Sequence, residues 1–279
     1  MSAEIPATHA TGTIYTKEHA PSWLLLAGSA GAVNAGAYVA TKQFASHVTG
    51  TATMVGLEVR EPVLILKYLL VLAAFVIGAM SPALFLSYQL KRRRRTTYSI
   101  PLLAVSVLLC LVALLGARGA LGTIATNVDA AGDVVLLSML ALAMGIQNAA
   151  VSSSTGRAVR TTHLTGDSTD LGLELSLAIT SRGDTRRDAL RSALLRIGKI
   201  ITFIGGGAVM YLLVTSTGFL AFLLPAACVA LATWRSFRER LGEIRARSSS
   251  DQLVDARTAV ADGAAPSSTS DRPQHPSSA

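Results

Sequence analysis

Charged residues are scarce in this chain, and their scarcity argues against an ordinary soluble domain. They make up 15% of the 279 residues, whereas 51% are hydrophobic and the mean hydropathy is +0.46. Soluble domains carry about 25% charged residues. Apolar runs long enough to span a bilayer account for the difference. The composition therefore predicts an all-α, polytopic membrane helix bundle in contact with the lipid bilayer.

Cysteine and the signatures of soluble enzymes are also nearly absent. Cys110 and Cys228 are the two cysteines, and both lie in apolar runs, which favours core packing over a disulfide or a metal site. The sequence holds no Walker A motif, no Rossmann glycine string and no HExxH motif, and its Ser and His residues follow no triad order. We therefore predict no catalytic residues, no metal and no cofactor, and an enzyme is the less favoured class.

The net charge of +8 does not predict nucleic-acid binding, because the basic residues form no continuous face. They stand instead in short clusters beside apolar runs, as in membrane proteins. Three clusters stand out, at residues 91–95 ("KRRRR"), 182–196 and 235–240.

Six apolar segments have the length of a membrane span. They cover about residues 22–41, 63–90, 99–116, 133–151, 197–215 and 218–234. The polar flanks are too poor in apolar residues to fold by themselves. The predicted organisation is a cytoplasmic N-terminal tail (1–21), a first membrane repeat (22–116), an external loop (117–131), a second membrane repeat (132–240) and a disordered cytoplasmic tail (241–279).

One polar stretch occurs twice in the sequence. "HVTGTATMVGLEV" at residues 47–59 returns as "HLTGDSTDLGLEL" at residues 163–175, with seven of thirteen positions identical. Upstream, "GAVNAG" matches "GIQNAA" and aligns Asn34 with Asn148. Downstream, "LKYLLVLAAFVIGAM" is similar to "LRIGKIITFIGGGAVM". The sequence therefore predicts two copies of one structural unit.

Two topologies follow from how the doubled stretch meets the membrane. If each copy crosses the membrane fully, there are eight crossings. Placing "KRRRR" in the cytoplasm then puts the 182–196 cluster on the external side. If each copy returns on its own side there are six crossings, with all three clusters and both termini in the cytoplasm, which the positive-inside rule favours. Each unit then has three crossings, so the second is inverted, as in many secondary transporters.

Thr49-Gly50 and Thr165-Gly166 resemble helix starts, with a hydroxyl that can cap followed by a flexible residue. A helix over residues 50–59 is about 15 Å long, half of the roughly 30 Å hydrocarbon layer. We therefore predict two short re-entrant half-helices whose N-termini converge, which suits a polar or anionic ligand. The alternative is that these glycines serve only close helix packing.

The predicted site for a small molecule or ion lies between the two copies. Its residues are Asn34, His47, Thr49, Gly50, Asn148, Thr162, His163, Thr165, Gly166 and Asp167. Asp167 shares a helix face with Asp170 and Glu174 and could carry a proton or bind a cation. The alternatives are that this face meets cytoplasmic water or pairs with Arg157 or Arg160.

A known family shares this pattern. "GAVNAGAYVATKQFASHVTGTATMVG" and "GIQNAAVSSSTGRAVRTTHLTGDSTDLG" resemble the YoaK-type family of uncharacterised bacterial integral membrane proteins over about residues 22–234. The family pattern matches this chain at Asn34, His47, Thr49, Gly50, Asn148, Thr162, Thr165 and Gly166. The resemblance implies a six-span protein of the bacterial inner membrane and supplies no substrate. Asp167 departs from the commoner neutral residue.

Two classes of function stay open at this point. The first is a secondary transporter or channel for a small polar or anionic solute, bound between the repeats. The second is a membrane-embedded enzyme, or a sensor or assembly protein, without transport activity. The sequence predicts no particular solute, coupling ion or oligomeric state.

Overall fold

The structure is a computed structural model that describes residues 19–92, 97–122, 124 and 131–238. The chain divides into two compact units, Met1–Ser236 and Phe237–Ala279, and the features below belong to the first. The disordered tail predicted at 241–279 lies outside the described residues, as do residues 1–18 of the N-terminal tail and residues 123 and 125–130 of the predicted external loop. Within the described ranges the fold is all-helical, without a strand, as predicted.

Eight α-helices and one 3₁₀ helix make up the described structure. They are α1 (Ala20–Thr41), α2 (Val48–Leu57), α3 (Pro62–Lys91), α4 (Ser99–Ala117), α5 (Ala131–Ser154), α6 (Leu164–Thr180), α7 (Gly183–Thr217), the 3₁₀ helix Gly218–Phe222 and α8 (223–238). The apolar segments predicted from sequence match α1, α3, α4, α5, α7 and α8, with boundaries that differ by a few residues except at the start of α7.

Five helical segments of the described chain are long and apolar enough to cross a membrane. They are Ala20–Thr41, Pro62–Lys91, Ser99–Ala117, Gly132–Ser154 and Gly183–Arg238. The last is 56 residues long and contains α7, the 3₁₀ helix and α8. Gly218 interrupts it with a left-handed φ of 61°, a conformation that glycine adopts without strain.

Large apolar side chains cover much of the outer surface. Val63 is 79% exposed, Ile77 60% and Leu212 67%, and many other Leu, Ile and Val side chains of α3, α4 and α7 are similarly open. Monomeric soluble proteins rarely expose continuous apolar surface on this scale. Together with the five long apolar helices, this surface indicates a multi-pass membrane protein.

Glycines bring two pairs of helices into backbone contact. A Cβ atom on Gly31 of α1 would lie 2.0 Å from the carbonyl oxygen of Phe203 on α7. A Cβ atom on Gly145 of α5 would lie 2.2 Å from the carbonyl oxygen of Phe75 on α3. No side chain fits at either position, so the α1–α7 and α3–α5 pairs depend on small residues, as is common between membrane helices.

The order of contacts gives the relative direction of α1 and α7. Leu24 packs where a Cβ on Gly198 would lie, and Ala35 packs where one on Gly207 would lie. Residues later in α1 therefore contact residues later in α7, which means that the two helices run parallel.

Helices α1 and α4 both run opposite to the start of α8. On α1, Gly36 meets Phe222, and the Ser29 hydroxyl donates to the Pro225 carbonyl at 3.2 Å. On α4, Gly116 meets Phe219, and the Ser106 hydroxyl donates to the Ala226 carbonyl at 2.9 Å. Helices α1 and α4 therefore point in the same direction.

Candidate solute site

The doubled stretch begins the two short helices, α2 and α6. His47 and His163 are their N-cap residues, with nearly equal backbone angles of φ −87°, ψ 67° and φ −94°, ψ 65°. Both helices start two residues earlier than the Thr-Gly steps suggested, and in the described structure neither imidazole makes a cap hydrogen bond. The two copies therefore fold alike at their start.

Each N-cap histidine ring lies against the glycine three residues later. A Cβ atom on Gly50 would be 2.5 Å from Nδ1 of His47, and one on Gly166 would be 2.9 Å from Cε1 of His163. Glycine is needed because a side chain at these positions would displace the ring. Each glycine thus makes room for the N-cap imidazole of its own helix.

The two aligned asparagines brace the chain just before these helices. The Asn34 side-chain oxygen accepts from the Ser46 amide at 3.0 Å, and its Nδ2 donates to the Ser46 hydroxyl at 2.7 Å. The Asn148 oxygen accepts from the amides of Thr161 and Thr162 at 3.0 and 3.4 Å. Each asparagine thus fixes the approach to one short helix.

Two adjoining cavities lie where α2 and α6 begin. The first measures about 380 Å³ and the second about 350 Å³, both within the range of small-molecule sites. Five residues line both cavities, and each belongs to one copy of the doubled stretch or immediately precedes it: Ser46, His47, Thr162, Leu164 and Thr165.

Seven of the ten predicted site residues line these two cavities. His47, Thr162 and Thr165 line both of them. Asn34 lines the first, and Thr49, Asn148 and His163 line the second.

The other three predicted residues lie elsewhere. Gly50 lines a third cavity of about 460 Å³, which also includes Lys42 and Tyr68. Gly166 lies beneath the His163 ring, and Asp167 lines none of the three cavities.

Asp167 instead belongs to an ion network between α6 and α7. Its Oδ2 is 2.5 Å from Nζ of Lys199, and its Oδ1 is 3.0 Å from Nη1 of Arg196. Arg196 also reaches Asp170 at 3.0 Å and Glu174 at 3.2 Å. The side chains of Lys199 and Asp167 are only 2% and 6% exposed, so this pair is buried.

This network corrects the alternatives considered for Asp167. Its carboxylate does not face cytoplasmic water, and its partners are Arg196 and Lys199 rather than Arg157 or Arg160. The shared face with Asp170 and Glu174 is real, because all three carboxylates meet Arg196. Lys199 was missed, although a lone lysine inside an apolar span is a signal of a buried partner or a function.

The two short helices differ in length and in attachment. Helix α2 has ten residues, whereas α6 has 17 and is about 26 Å long. No residue of α2 is buried, whereas Asp167 and Ala178 of α6 are. Pro62 lies in the first turn of α3 and prevents α2 from continuing. After Gly172, the chain has no glycine or proline until Gly183 at the start of α7, where φ is 64°.

Gln147 is a further buried polar residue that the sequence argument passed over. It is fully buried, and its Nε2 donates to the Leu26 carbonyl at 3.0 Å and to the Thr161 hydroxyl at 3.2 Å. Its Oε1 has no partner among the described atoms. Gln147 thus joins α5 to α1 and to the approach to α6.

Comparison with known proteins identifies the family. Residues 22–234 match the family model described as "Protein of unknown function (DUF1275)". The chain belongs to the DUF1275 family. The family membership suggested by the doubled Asn and His-x-Thr-Gly pattern is thereby confirmed. No curated protein and no solved structure matches the chain.

In this DUF1275 chain the polar groups that line the two cavities are mainly hydroxyls and imidazoles. Hydroxyls come from Thr49, Thr162 and Thr165, and imidazoles from His47 and His163. Among the described residues, no group of three His, Cys, Asp or Glu could hold a metal ion. The arrangement suits reversible binding of a small solute.

Proposed function

We propose that this chain is a secondary transporter or channel for a small polar or anionic solute, bound where α2 and α6 begin. The observation that carries the proposal is the pair of adjoining cavities lined by residues of both copies of the doubled stretch. Transporter sites commonly lie between two structural repeats and beside helix N-termini, whose free N–H groups favour negative charge.

An inverted-topology repeat is part of the proposal. Gly31 and Gly145 occupy equivalent places beside the aligned asparagines, and each meets the carbonyl of a phenylalanine, Phe203 or Phe75. A second contact lies three residues away in each pair of helices. Gly206, three residues after Phe203, meets Gly28, and Gly78, three residues after Phe75, meets Leu142. Equivalent contacts between different helix pairs support two copies related by approximate two-fold symmetry.

Six crossings in the bacterial inner membrane, with both termini in the cytoplasm, complete the proposed topology. Because α1 and α4 point the same way, α2 and α3 together make one net crossing. Helix α2 is only about 15 Å long, so α3 crosses and α2 is re-entrant. The 56 residues of the last segment correspond to about 84 Å of helix, enough for two crossings of a roughly 30 Å layer.

Cysteine labelling tests this topology. In a variant with Cys110 and Cys228 replaced by alanine, Thr185→Cys is expected to resist a membrane-impermeant maleimide in intact cells and to react after permeabilisation. Residue 185 lies in a basic region, which the positive-inside rule assigns to the cytoplasm. Ala120→Cys, in the proposed external loop, is the positive control. Strong labelling at 185 in intact cells would contradict six crossings.

A thermal-shift screen of the purified chain with small anions and metabolites tests solute binding. A solute at 100 times its Kd stabilises the folded state by about 2.7 kcal/mol, which we expect to raise Tm by several degrees. Thr165→Val and His163→Ala are expected to remove this shift, because they delete polar groups of the cavities. Thr215→Val is the matched control, since Thr215 is exposed and bonds to its own helix at Tyr211.

Flux then separates transport from the other class of function. Liposomes that contain the chain are expected to take up the stabilising solute faster than those with the Thr165→Val variant. Solute binding without flux, together with a turnover product or a stable protein partner, would instead favour a membrane-embedded enzyme, a sensor or an assembly protein.

A further inference from the structure

The two central cavities are alike in position but unlike in chemistry. The wall of the first is largely apolar and includes Ala35, Phe44, Phe203 and Ile204. The second has Arg160, with Thr49, Asn148 and His163 around it. A solute that occupied both would meet an apolar surface at one end and a cation with hydrogen-bond donors at the other.

One pair of equivalent residues contributes the charge difference between the two cavities. Phe44 and Arg160 each precede an N-cap histidine by three positions. Phe44 meets His47 edge to face, with ring centroids 5.9 Å apart, and stacks on Tyr38 at 4.8 Å. Arg160 occupies the corresponding place beside His163, with Nη1 3.4 Å from Nδ1. The two equivalent positions therefore differ in chemistry: one carries an aromatic ring and the other a guanidinium group.

Arg160 has no negative partner within ion-pair distance among the described residues. Arg196, by contrast, meets three carboxylates. On the Phe44 side, Lys42 lies 5.8 Å from the centroid of the Tyr38 ring and lines neither central cavity. Arg160 is exposed and lines the second cavity, where its positive charge can match one negative charge on a ligand.

We propose that the adjoining cavities bind a single monocarboxylate with an apolar body, an inference that rests on the proposed solute site. Arg160 holds the carboxylate through its planar guanidinium fork, which matches carboxylate geometry. The hydroxyls of Thr49 and Thr165 supply further donors. The apolar body lies against Phe44, Phe203 and Ile204.

Each end of the site makes its own contribution to selectivity. A neutral amide of the same shape leaves the Arg160 charge unmatched, and losing a hydrogen bond between charged groups lowers affinity by about 10- to 100-fold. A carboxylate without an apolar body buries no apolar surface against the rings. It should bind more weakly, because burying a Phe- or Leu-sized group raises affinity by at least about tenfold.

Four probe compounds test the assignment on the full chain in detergent, with binding followed by calorimetry and thermal shift. Benzoate and cyclohexanecarboxylate carry both features, benzamide lacks the charge and acetate lacks the body. We expect the first two to bind at least about 10-fold more tightly than either of the others.

Variants assign each preference to a residue. Arg160→Gln is expected to abolish the preference for benzoate over benzamide, and Arg160→Lys to keep part of it, because lysine retains the charge without the fork. Phe44→Ala is expected to reduce the preference for benzoate over acetate, because Phe203 and Ile204 remain in the wall. Arg157→Gln, at an exposed arginine that lines neither central cavity, is expected to change neither preference.

The outcomes separate this inference from the proposed function. Equal binding of benzoate and benzamide, no binding of any probe, or a charge preference that survives Arg160→Gln overturns the monocarboxylate assignment. If another solute still binds and moves across liposomes in a manner that depends on Thr165, the transport proposal stands without it. If no solute of the wider screen binds or moves, the transport proposal itself fails.

Discussion

Replacing Lys199 by methionine is expected to destabilise the folded chain by about 3–5 kcal/mol, the usual cost of leaving one partner of a buried ion pair alone. Lys199 is 2% exposed, and its Nζ lies 2.5 Å from Asp167. Without it, Arg196 alone faces three carboxylates. The loss should appear as unfolding at a lower SDS fraction and a lower temperature.

A double-mutant cycle distinguishes the ion pair from simple packing. Asp167→Asn added to Lys199→Met restores the original charge balance of the network, and we expect a coupling free energy of about 0.5–3 kcal/mol. The matched control is Arg191→Met, which breaks an exposed pair with Asp188 and should cost at most about 1 kcal/mol. If Lys199→Met is as mild as this control, the Lys199–Asp167 pair does not stabilise the α6–α7 contact.

Alanine at Gly31 or at Gly145 is expected to cost about 3 kcal/mol, the upper end of the usual range for overpacking. A Cβ atom at either position would come within 2.0 or 2.2 Å of a backbone carbonyl oxygen, and backbone cannot rotate away as a side chain can. The helices of the α1–α7 or α3–α5 pair must then separate. Unfolding in SDS measures the effect.

Two helical glycines with open space around them serve as controls, Gly205 on α7 and Gly56 on α2. A Cβ atom on Gly205 or Gly56 would meet nothing within 4 Å. Alanine at these positions should be neutral or stabilising by up to about 1 kcal/mol, since alanine favours the helix over glycine. Equal effects at Gly31 and Gly205 would contradict the close approach of the α1 and α7 backbones.

Local features of the fold were predictable because they depend on neighbouring residues. The apolar run that predicted a span at 99–116 corresponds to Ser99–Ala117. The repeated His-x-Thr-Gly pattern marked the starts of α2 and α6, although the N-cap falls on the histidine. The alignment of Asn34 with Asn148 also anticipated two equivalent positions, each bonded just before a short helix.

Features that depend on packing were not predictable from the same patterns. Arg196 lies in a basic cluster that the positive-inside rule explains without any partner, and its contacts with Asp167 and Glu174 require α6 to lie along α7. The contrast between Phe44 and Arg160 became meaningful only when each was seen beside its histidine.

The glycine contacts join helices that are synthesised at different times. Gly31 meets Phe203, whereas Phe75 meets Gly145, so the partner of α1 is made much later than the partner of α3. At 5–20 residues per second the ribosome needs roughly 4–14 seconds to extend the chain from Phe75 to Gly145, and roughly 9–34 seconds from Gly31 to Phe203. The α3–α5 pair can therefore form before α7 has been synthesised, whereas the α1–α7 pair cannot.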